Sequence, residues 1–411
     1  MKKVSIVGGG IIGLCTAYYL AKEGNQVVVF DKSDLSDGCS YGNAGMIVPS
    51  HIIPLAQPGM IAQGMKWMFD SQSPFYVKPR LSSDLIKWGI QFYKHANLKH
   101  VENSMIALRN LSLLSKELYR DFALEDNSFF YKEKGLLMLY KTDKVAEEIC
   151  HEAKYAEHLG LEVDYLSRAE VAKLEIGTKT DVSGAVHYKS DAHLYPQKFM
   201  QFIKDELTRL NVQVIPNIQV KDFTLNNNAI SEIITDKGAF STDEVVLAAG
   251  SWSPEIAKKL NVKLSILPGK GYSFTLKDQE NKPSIPAILC EGKVAVTPMS
   301  TDIRFGGTME ITHTNDTKIN AKRLQGIVNS INEFYPDLKV NRPVENDTWY
   351  GFRPCTPSGM PIIARDKNIK NLVLATGHAM MGLSLAPATG KIVTEIISGK
   401  PTSVNTNMFQ G

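Results

Sequence analysis

The segment VSIVGGGIIG at residues 4–13, followed by a helical pattern and by QVVVF at residues 26–30, decides the fold. Two β-branched runs that flank an amphipathic helix predict one strand–helix–strand unit. The first turn contains Gly8, Gly10 and Gly13, at the spacing that lets a backbone approach the pyrophosphate of a dinucleotide. We therefore predict a nucleotide-binding domain that starts at the first strand.

Each glycine of this turn has a physical reason, and later residues complete the site. Gly8 permits the tight turn, Gly10 leaves backbone amides open to a pyrophosphate, and Gly13 lets the helix pack close to the strand. The helix N-terminus adds unpaired N–H groups and the positive end of its dipole. Asp31, at the end of the second strand, is placed to accept a hydrogen bond from a ribose 2′-OH. The predicted cofactor residues here are Gly8, Gly10, Ile11, Ile12, Gly13, Asp31 and Lys32.

The turn alone does not separate FAD from NAD. A glycine-rich turn with nothing bound is the alternative, but it leaves three glycines unexplained, each costing roughly 0.5–1 kcal/mol relative to alanine in regular structure. Two buried strands that end in glycine loops, at residues 245–252 and 372–378, favour FAD. Such strand ends converge on the ligand crevice, where the last helix can direct its positive dipole at a reduced flavin. The predicted contacts are Ala249, Gly250, Gly377, His378, Met381, Gly382 and Leu383.

The composition excludes several classes of protein. Subtracting 43 acidic from 46 basic residues gives a formal charge of +3, too even a balance for a nucleic-acid footprint. The five cysteines form no Cys-x-x-Cys pair and no zinc-ligand cluster, which favours a reducing, cytoplasmic setting without disulfides or metal. The basic start and apolar run suggest a signal peptide, but its cleavage would remove the neighbours of residues 27–30, so we expect it to be retained.

The rest of the chain mixes helical and strand patterns without the strict alternation of a barrel. Strand patterns crowd residues 262–353 and predict an antiparallel sheet in a separate lobe. The fold class is therefore α/β, with a Rossmann-type nucleotide domain and a second domain built on a mixed or antiparallel sheet. The main helices are predicted at 83–97, 104–122, 143–158, 196–210 and 384–397, and later strands at 135–140, 272–276, 294–297, 304–306 and 372–375.

Further motifs follow in order along nearly the whole chain. They are GxGxxG at 8–13 with Asp31, SYGNAG at 40–45, PGKGYS at 268–273, GGTME at 306–310, GFRPCTPSG at 351–359 and TGH at 376–378 leading to Gly382. In these motifs the sequence resembles the D-amino acid oxidase superfamily of flavoproteins, and within it the D-amino acid dehydrogenases of small-subunit type. The resemblance implies a glutathione-reductase-like FAD domain at 1–50, 190–261 and 345–411, and a substrate domain at 51–189 and 262–344.

The resemblance also assigns site residues. In this superfamily the arginine of the Gly-Phe-Arg-Pro motif binds the substrate carboxylate, which gives that role to Arg353; a structural ion pair is the alternative. A guanidinium fork offers two parallel hydrogen bonds and stays charged in a dry pocket. Tyr272, Tyr350 and His51 are further catalytic candidates, but each tyrosine is equally a core or flavin-packing candidate, and His51 equally a buried, hydrogen-bonded histidine. The remaining predicted FAD contacts are Ser40, Asn43, Ala44, Gly45, Met46 and Gly351.

The flavin is expected to be held without a covalent bond. Some relatives attach it through a cysteine just before a Thr-Pro pair. When the chain is aligned on Thr356-Pro357, Gly351 stands at that position, and Cys355 lies much closer to the pair. We therefore predict non-covalent FAD.

Residues 38–65 carry no formally charged side chain, and Pro49, Pro54 and Pro58 within them would break a transmembrane helix. One interpretation is a loop packed over the flavin and the pocket. The other is a hydrophobic approach for a membrane quinone or a partner protein. The expected location is cytoplasmic, with peripheral contact at the inner face of the membrane left open.

The leading functional hypothesis is FAD-dependent oxidation of a small neutral D-amino or D-imino acid, of the D-alanine, D-proline or cis-4-hydroxy-D-proline type. Arg353 fixes the carboxylate, a hydride passes from Cα to flavin N5, and water hydrolyses the imino product. The uncharged stretch and the aromatic residues at 349, 350 and 352 predict a pocket without a partner for a charged side chain. The alternatives are an FAD-dependent 2-hydroxy acid dehydrogenase and a flavin-carrying subunit of an electron-transfer complex. A quinone or another redox protein is the expected electron acceptor.

Overall fold

A computed structural model describes residues 1–60, 64, 74–78 and 82–411. The described strands are β1 Lys3–Val7, β2 Gln26–Phe30, β3 Met46–Ile47, β4 Phe75–Val77, β5 Leu136–Tyr140, β6 Val163–Ser167, β7 Gly184–Tyr188, β8 Ala192–His193, β9 Gln213–Ile215, β10 Val220–Asn226, β11 Ala229–Thr235, β12 Gly238–Ser241, β13 Glu244–Leu247, β14 Leu267–Leu276, β15 Ala287–Leu289, β16 Val294–Met299, β17 Asp302–Ile311, β18 Trp349–Cys355, β19 Ile362–Arg365 and β20 Leu372–Thr376. The described helices are α1 Ile11–Lys22, α2 Ser83–His95, α3 Leu98–Glu125, α4 Asp143–His158, α5 Arg168–Leu174, α6 Pro196–Arg209, α7 Ser253–Lys258, α8 Ala321–Phe334 and α9 Gly382–Ser398.

A six-stranded sheet in the order β19-β20-β13-β1-β2-β9 contains the N-terminal unit at its centre. Strand β1 pairs in parallel with both β2 and β13, so its carboxyl end is flanked by theirs. Apolar side chains of α1, α3, α6 and α9 cover one face of this sheet. The three-stranded antiparallel sheet β10-β11-β12 covers the other face. The sheet is therefore buried on both sides, as its β-branched strands predict.

Helices α1 and α9 pack against each other at backbone distance. A Cβ placed on Gly390 of α9 would lie 2.7 Å from the carbonyl oxygen of Cys15 in α1. One turn earlier, Pro387 has no N–H for the carbonyl of Leu383, and the hydroxyl of Tyr119 donates to that carbonyl instead at 2.6 Å. The crossing therefore tolerates a proline inside the helix without leaving a buried acceptor unpaired.

The second large sheet has nine strands, eight of them in the order β18-β14-β17-β16-β15-β5-β7-β6, with β4 beside β17. Most neighbours are antiparallel, whereas β15 and β5 run in parallel, so the sheet is mixed. One face packs on the apolar side of α8. The opposite face carries small residues at paired positions of neighbouring strands. Gly271 lies opposite Gly351, and Ser273 lies opposite Gly306. This face leaves space for a ligand.

The predicted fold class is confirmed, with a Rossmann-type sheet and a second, mixed sheet. Several boundaries differ from the sequence expectation. Helix α3 begins at Leu98 because Asn97, expected to end the preceding helix, caps it by accepting from the amide of His100. Strand β14 starts at Leu267 and therefore includes the Pro-Gly-Lys-Gly segment.

The predicted domain division remains a prediction, and two elements cross its boundaries. Strand β18 lies in the 345–411 segment expected to bind FAD, but it pairs with β14 in the nine-stranded sheet. Helix α3 lies in the 51–189 segment expected to bind substrate, but it packs with α1 and α9. In the described ranges, none of the helices has the length and apolarity needed to cross a bilayer.

The α1–α9 crossing predicts a sensitive glycine. Gly390→Ala should lower the free energy of unfolding by about 1–3 kcal/mol, because the helices must move apart to admit the new methyl group. The matched control is Gly89→Ala in α2, where a Cβ meets nothing within 4 Å. That control should stabilise the protein by roughly 0.5–1 kcal/mol, the usual preference for alanine in a helix. Chemical denaturation of both variants measures the difference, and equal midpoints would contradict a close crossing.

Candidate active site

A cavity of about 640 Å³ runs between the two large sheets. Most of the predicted site residues line this cavity, namely Gly8, Gly10, Ile11, Ile12, Asp31, Lys32, Ser40, Asn43, Ala44, Gly45, Met46, His51, Ala249, Gly250, Tyr272, Gly351, Arg353, His378, Met381, Gly382 and Leu383. Gly13, Gly377 and Tyr350 are not part of the wall. Gly13 packs α1 against the first turn, and Gly377 has a positive φ beside Thr356.

The first turn forms an open cradle at the N-terminus of α1. Gly8 has φ +115, and a Cβ there would lie 2.5 Å from the carbonyl oxygen of Ala248, so its glycine is required for packing. A Cβ on Gly10 would meet only the hydroxyl of Ser40, at 3.5 Å, within 4 Å. That hydroxyl accepts from the amide of Ile11 at 2.9 Å. The space beside Gly10 is thus available to a ligand, and the helix N-terminus faces it.

Asp31 organises the loop at the end of β2. One carboxylate oxygen accepts from the amide of Gly9 at 2.7 Å, and the other accepts from the amide and hydroxyl of Ser33 at 2.8 and 2.6 Å. Lys32 lies with its ammonium 4.1 Å from the ring centroid of Trp252, and burial lowers its pKa. Both side chains border the cavity where the ribose of a dinucleotide was expected.

The loop from Ser40 to Met46 is fixed by a residue that the sequence did not reveal. Arg304 of β17 is buried and donates to the backbone carbonyls of Tyr41 and Asn43 at 2.9 and 3.0 Å. It also donates to Gln197 at 2.9 Å and Thr275 at 3.1 Å. Burial of this guanidinium lowers its pKa to about 10, so it remains a cation. Arg304 therefore joins the nine-stranded sheet to the loop that lines the cavity.

His378 lies at the far end of the cavity, just before α9. Its Nε2 is 2.9 Å from the hydroxyl of Thr389, which itself donates to the carbonyl of Leu385 at 2.8 Å. Because the single hydroxyl proton is used there, Nε2 of His378 is the donor in this contact. Burial lowers the pKa of His378 to about 3, so the imidazole is neutral. A neutral ring beside the N-terminus of α9 leaves the helix dipole as the positive element at this end.

Arg353 provides a cation on the cavity wall. Its Nη1 donates to the carbonyl of Thr308 at 2.6 Å, and among the described residues no carboxylate forms an ion pair with it. A Cβ on Gly271 of the neighbouring strand would overlap the guanidinium, so that glycine makes the room. Burial lowers the pKa of Arg353, but arginine starts so high that it stays protonated. The wall therefore offers a fixed positive charge to a ligand.

The other catalytic candidates, His51, Tyr272 and Tyr350, lie in different environments. His51 lines the cavity, and burial lowers its pKa to about 4, so its ring is neutral. The hydroxyl of Tyr272 donates to Glu310 at 2.5 Å and accepts from the amide of Asn320 at 3.1 Å. Tyr350 pairs across from Tyr272 and packs against the core beneath α8. We therefore leave both tyrosines out of the substrate site that we propose.

The uncharged segment 38–65 contributes directly to the wall, although positions 61–63 and 65 lie outside the described residues. Gly38 to Met46, His51, Leu55 and Met60 all border the cavity. Lys293 borders the cavity as well, a cation that was not among the predicted site residues. Lys293 follows Gly292 in the β15–β16 turn and has a positive φ of 49. Nothing in the local sequence indicated that this residue would border the cavity.

Comparisons with known proteins agree with this architecture. Residues 3–396 match the family model described as FAD dependent oxidoreductase (DAO). The chain is 31% identical over 396 residues to a D-amino acid dehydrogenase of Helicobacter pylori (strain ATCC 700392 / 26695), covering 96% of this chain and 94% of that one. It is 31% identical over 412 residues to a D-amino acid dehydrogenase of Vibrio atlanticus (strain LGP32), covering 98% of each. The structure of an L-proline dehydrogenase from P. horikoshii superposes with a TM-score of 0.77 at 20% identity, over 97% of this chain and 94% of that chain, which shows a shared fold.

The open space beside Gly10 predicts that a larger side chain at this position reduces FAD binding. Gly10→Val should yield a folded protein that binds little FAD, because the added side chain enters open space that the pyrophosphate requires. We expect the flavin released by acid precipitation, per folded chain, to fall at least about ten-fold, a loss of roughly 1.4 kcal/mol or more. Gly89→Ala serves as the control. A folded Gly10→Val protein with full flavin content would show that the turn holds no pyrophosphate.

Proposed function

This chain belongs to the FAD dependent oxidoreductase (DAO) family, and from that premise we propose that it oxidises the carbon–nitrogen bond of a small neutral D-amino or D-imino acid. The observation that carries the proposal is Arg353, a cation on the cavity wall that forms no ion pair with a described carboxylate. An α-carboxylate is the ligand group that matches its planar fork. The D-amino acid dehydrogenases at 31% identity support the choice of substrate class.

The residues around the cavity fit FAD. The open space beside Gly10 and the N-terminus of α1 suit the pyrophosphate, and the N-terminus of α9 suits the pyrimidine edge of the ring. When bound, FAD supplies an acceptor for the hydride that leaves the substrate carbon. We propose non-covalent attachment, because Gly351 has no side chain to offer and the thiol of Cys39 interacts with the backbone of Phe352. Flavin that stays with the acid precipitate would contradict this.

Arg353 would position the substrate and leave the chemistry to the bound cofactor. Its guanidinium donates through Nη1 to the carbonyl of Thr308, so it is oriented before the substrate binds. A carboxylate fixed in this way limits the rotations of the α-carbon and its amine, and pre-orientation of this kind lowers the barrier. The neutral His51 adds no second charge at this wall. In this proposal the site recognises the acid group of the substrate by the charge of Arg353.

The carboxylate role of Arg353 is tested by two substitutions. Arg353→Ala should lower kcat/KM by a factor of about 10² or more, because loss of a buried charge-assisted pair typically costs roughly 2–5 kcal/mol. Arg353→Lys should recover only part of this, because an ammonium lacks the planar fork. Steady-state dye reduction measures both. Amino acid amides serve as the matched probe, and amides oxidised as fast as acids would exclude Arg353 as the anchor.

We also propose that the electrons leave to a quinone or a redox protein at a cytoplasmic membrane face. The support is the outer side of α2, where Ile86, Ile90 and Tyr93 are exposed and Lys87 and Lys94 flank them. Apolar side chains beside lysines suit an anionic lipid surface. On its inner side, the indole of Trp88 in the same helix donates to the carbonyl of Cys355 at 2.9 Å. The exposed stripe is thus connected to the strand that carries Arg353.

Substrate and acceptor choice give a direct measurement. Under nitrogen, neutral D-amino or D-imino acids should bleach the flavin faster than their L-enantiomers and faster than D-aspartate, whose extra carboxylate would be buried at a cost of several kcal/mol. Lys293 does not reverse this order, because it is exposed and its charge is solvated. An artificial dye should reoxidise the enzyme much faster than air. Stopped-flow absorbance gives these rates.

Each alternative has its own signature in that experiment. Faster bleaching by 2-hydroxy acids, without release of ammonia, would favour a hydroxy acid dehydrogenase. Bleaching without turnover of the isolated chain would favour a flavin subunit of a larger complex. Preferential bleaching by D-aspartate would give Lys293 the role of a side-chain partner, and rapid peroxide formation in air would exclude the proposed acceptor.

A further inference from the structure

A buried carboxyl group lies close to the cavity and has no part in the function proposed above. Asp191 is fully buried in the turn between β7 and β8. Its carboxylate accepts from the amide of Ser50 at 3.0 Å and from the hydroxyl of Ser50 at 2.5 Å. Pairing of β3 with β8, in which Met46 lies opposite His193, brings this turn beside the Ser50 segment. No described cation forms an ion pair with Asp191.

The contact continues to the cavity wall through His51. The hydroxyl oxygen of Ser50 is 3.3 Å from Nδ1 of His51. Because Nδ1 is engaged there, Nε2 is the ring nitrogen left for a ligand, and it has no hydrogen-bond partner among the described residues. Asp191, Ser50 and His51 thus form a chain of hydrogen bonds from a buried carboxyl to the cavity.

The donor directions of the two hydrogen bonds in this chain depend on each other, because the hydroxyl of Ser50 has only one proton to donate. With Asp191 ionised, Ser50 donates to the carboxylate, Nδ1 of His51 donates to Ser50, and Nε2 is an unprotonated acceptor. With Asp191 protonated, the carboxyl can donate to Ser50, Ser50 donates to Nδ1, and Nε2 carries the proton. The protonation state of Asp191 therefore sets the tautomer of His51 without charging the ring.

We propose that Asp191 and Ser50 are positioning residues that hold His51 with Nε2 as an acceptor, and that Nε2 receives a hydrogen bond from the amine of a substrate anchored on Arg353. This inference rests on the proposed function, because it requires an amine-bearing ligand in the cavity. An amine offers N–H donors, so only the acceptor tautomer can pair with it. The donor tautomer would oppose an N–H with another N–H.

The surrounding charges are compatible with a switch near neutral pH. Burial raises the pKa of Asp191 to about 7, whereas burial lowers that of His51 to about 4. Lys116 faces Asp191 but is paired with Glu133 at 2.8 Å, and Lys293 faces His51. Tyr188 of β7 also faces Asp191, and burial keeps its hydroxyl protonated. As the pH rises through about 7, Asp191 loses its proton and Nε2 becomes the acceptor.

The decisive variant is Asp191→Asn. The amide oxygen can still accept from the backbone of Ser50, but its NH₂ must donate to the Ser50 hydroxyl, which fixes His51 in the donor tautomer. At pH about 8 we expect kcat/KM for the preferred amino acid to fall about ten- to hundred-fold, the range of one hydrogen bond to a charged or polar partner. Flavin content should be unchanged. The part of the pH profile that rises across neutrality in the wild type should be absent.

The matched control is Glu175→Gln. Glu175 is also buried, its pKa is also raised by burial to about 7, and it accepts from the amides of Ser284 and Ile285. It does not border the cavity. This variant should keep the wild-type pH profile of kcat/KM. Loss of the profile in both variants would attribute it to a general effect of buried carboxyls and overturn the proposal.

A spectroscopic measurement separates this proposal from the proposed function. In the holoenzyme labelled with ¹⁵N-histidine and without substrate, the Nε2 signal of His51, assigned with His51→Gln, should change from unprotonated to protonated type as the pH falls through about 7. Asp191→Asn should show the protonated type at every pH. If the Nε2 signal changes neither with pH nor in Asp191→Asn, the proposed coupling of His51 to Asp191 is wrong. If the tautomer switches but kcat/KM of Asp191→Asn equals wild type, the positioning role fails. If no amino acid reduces the flavin, the proposed function fails, and its use of His51 fails with it.

Discussion

The close crossing of α1 and α9 is the constraint on which the site depends. Gly390 lets the backbone of α9 lie against that of α1, and both helices begin at the cavity wall, at Ile11 and at Gly382. Each N-terminus carries roughly half a positive charge. Two such termini on one cavity suit a ligand that is anionic in two places, as FAD is at its pyrophosphate and at its reduced ring. The crossing therefore fixes the two positive helix termini relative to each other at the cavity.

The local parts of this design could be predicted from the sequence, and the reasons are physical. Periodicity placed β1, α1 and β2 almost to the residue, because their neighbours in sequence are also their neighbours in space. The Pro-Gly-Lys-Gly start of β14 could not be predicted as a strand from propensity. Its Gly271 is explained only by the guanidinium of Arg353 from another strand. Residues whose role arises from distant contacts, such as Arg304, left no local signal.

The strand pattern carries information about the two tyrosine candidates that their motifs do not. Tyr272 and Phe274 alternate with Ser273, and side chains two apart on a strand share a face. Tyr272 and Phe274 both belong to the core beneath α8, and Tyr272 also borders the cavity next to Ser273. The same alternation places Tyr350 with the core and Gly351 with the cavity. Space for a ligand is thus created by small residues within the sheet itself.

Burial lowers the pKa of the two histidines and of Arg353 at this cavity, but it removes the charge only from the histidines. The loss of water lowers the pKa of His51 to about 4 and of His378 to about 3, so both rings are neutral at physiological pH. The same loss of water also lowers the pKa of Arg353, but arginine begins too high to be deprotonated. The positive charge of Arg353 is therefore independent of pH in the physiological range, whereas a neutral imidazole can still exchange its donor and acceptor nitrogens. A carboxylate would be bound by an unchanging charge, and the group beside it by a hydrogen bond whose direction depends on the tautomer.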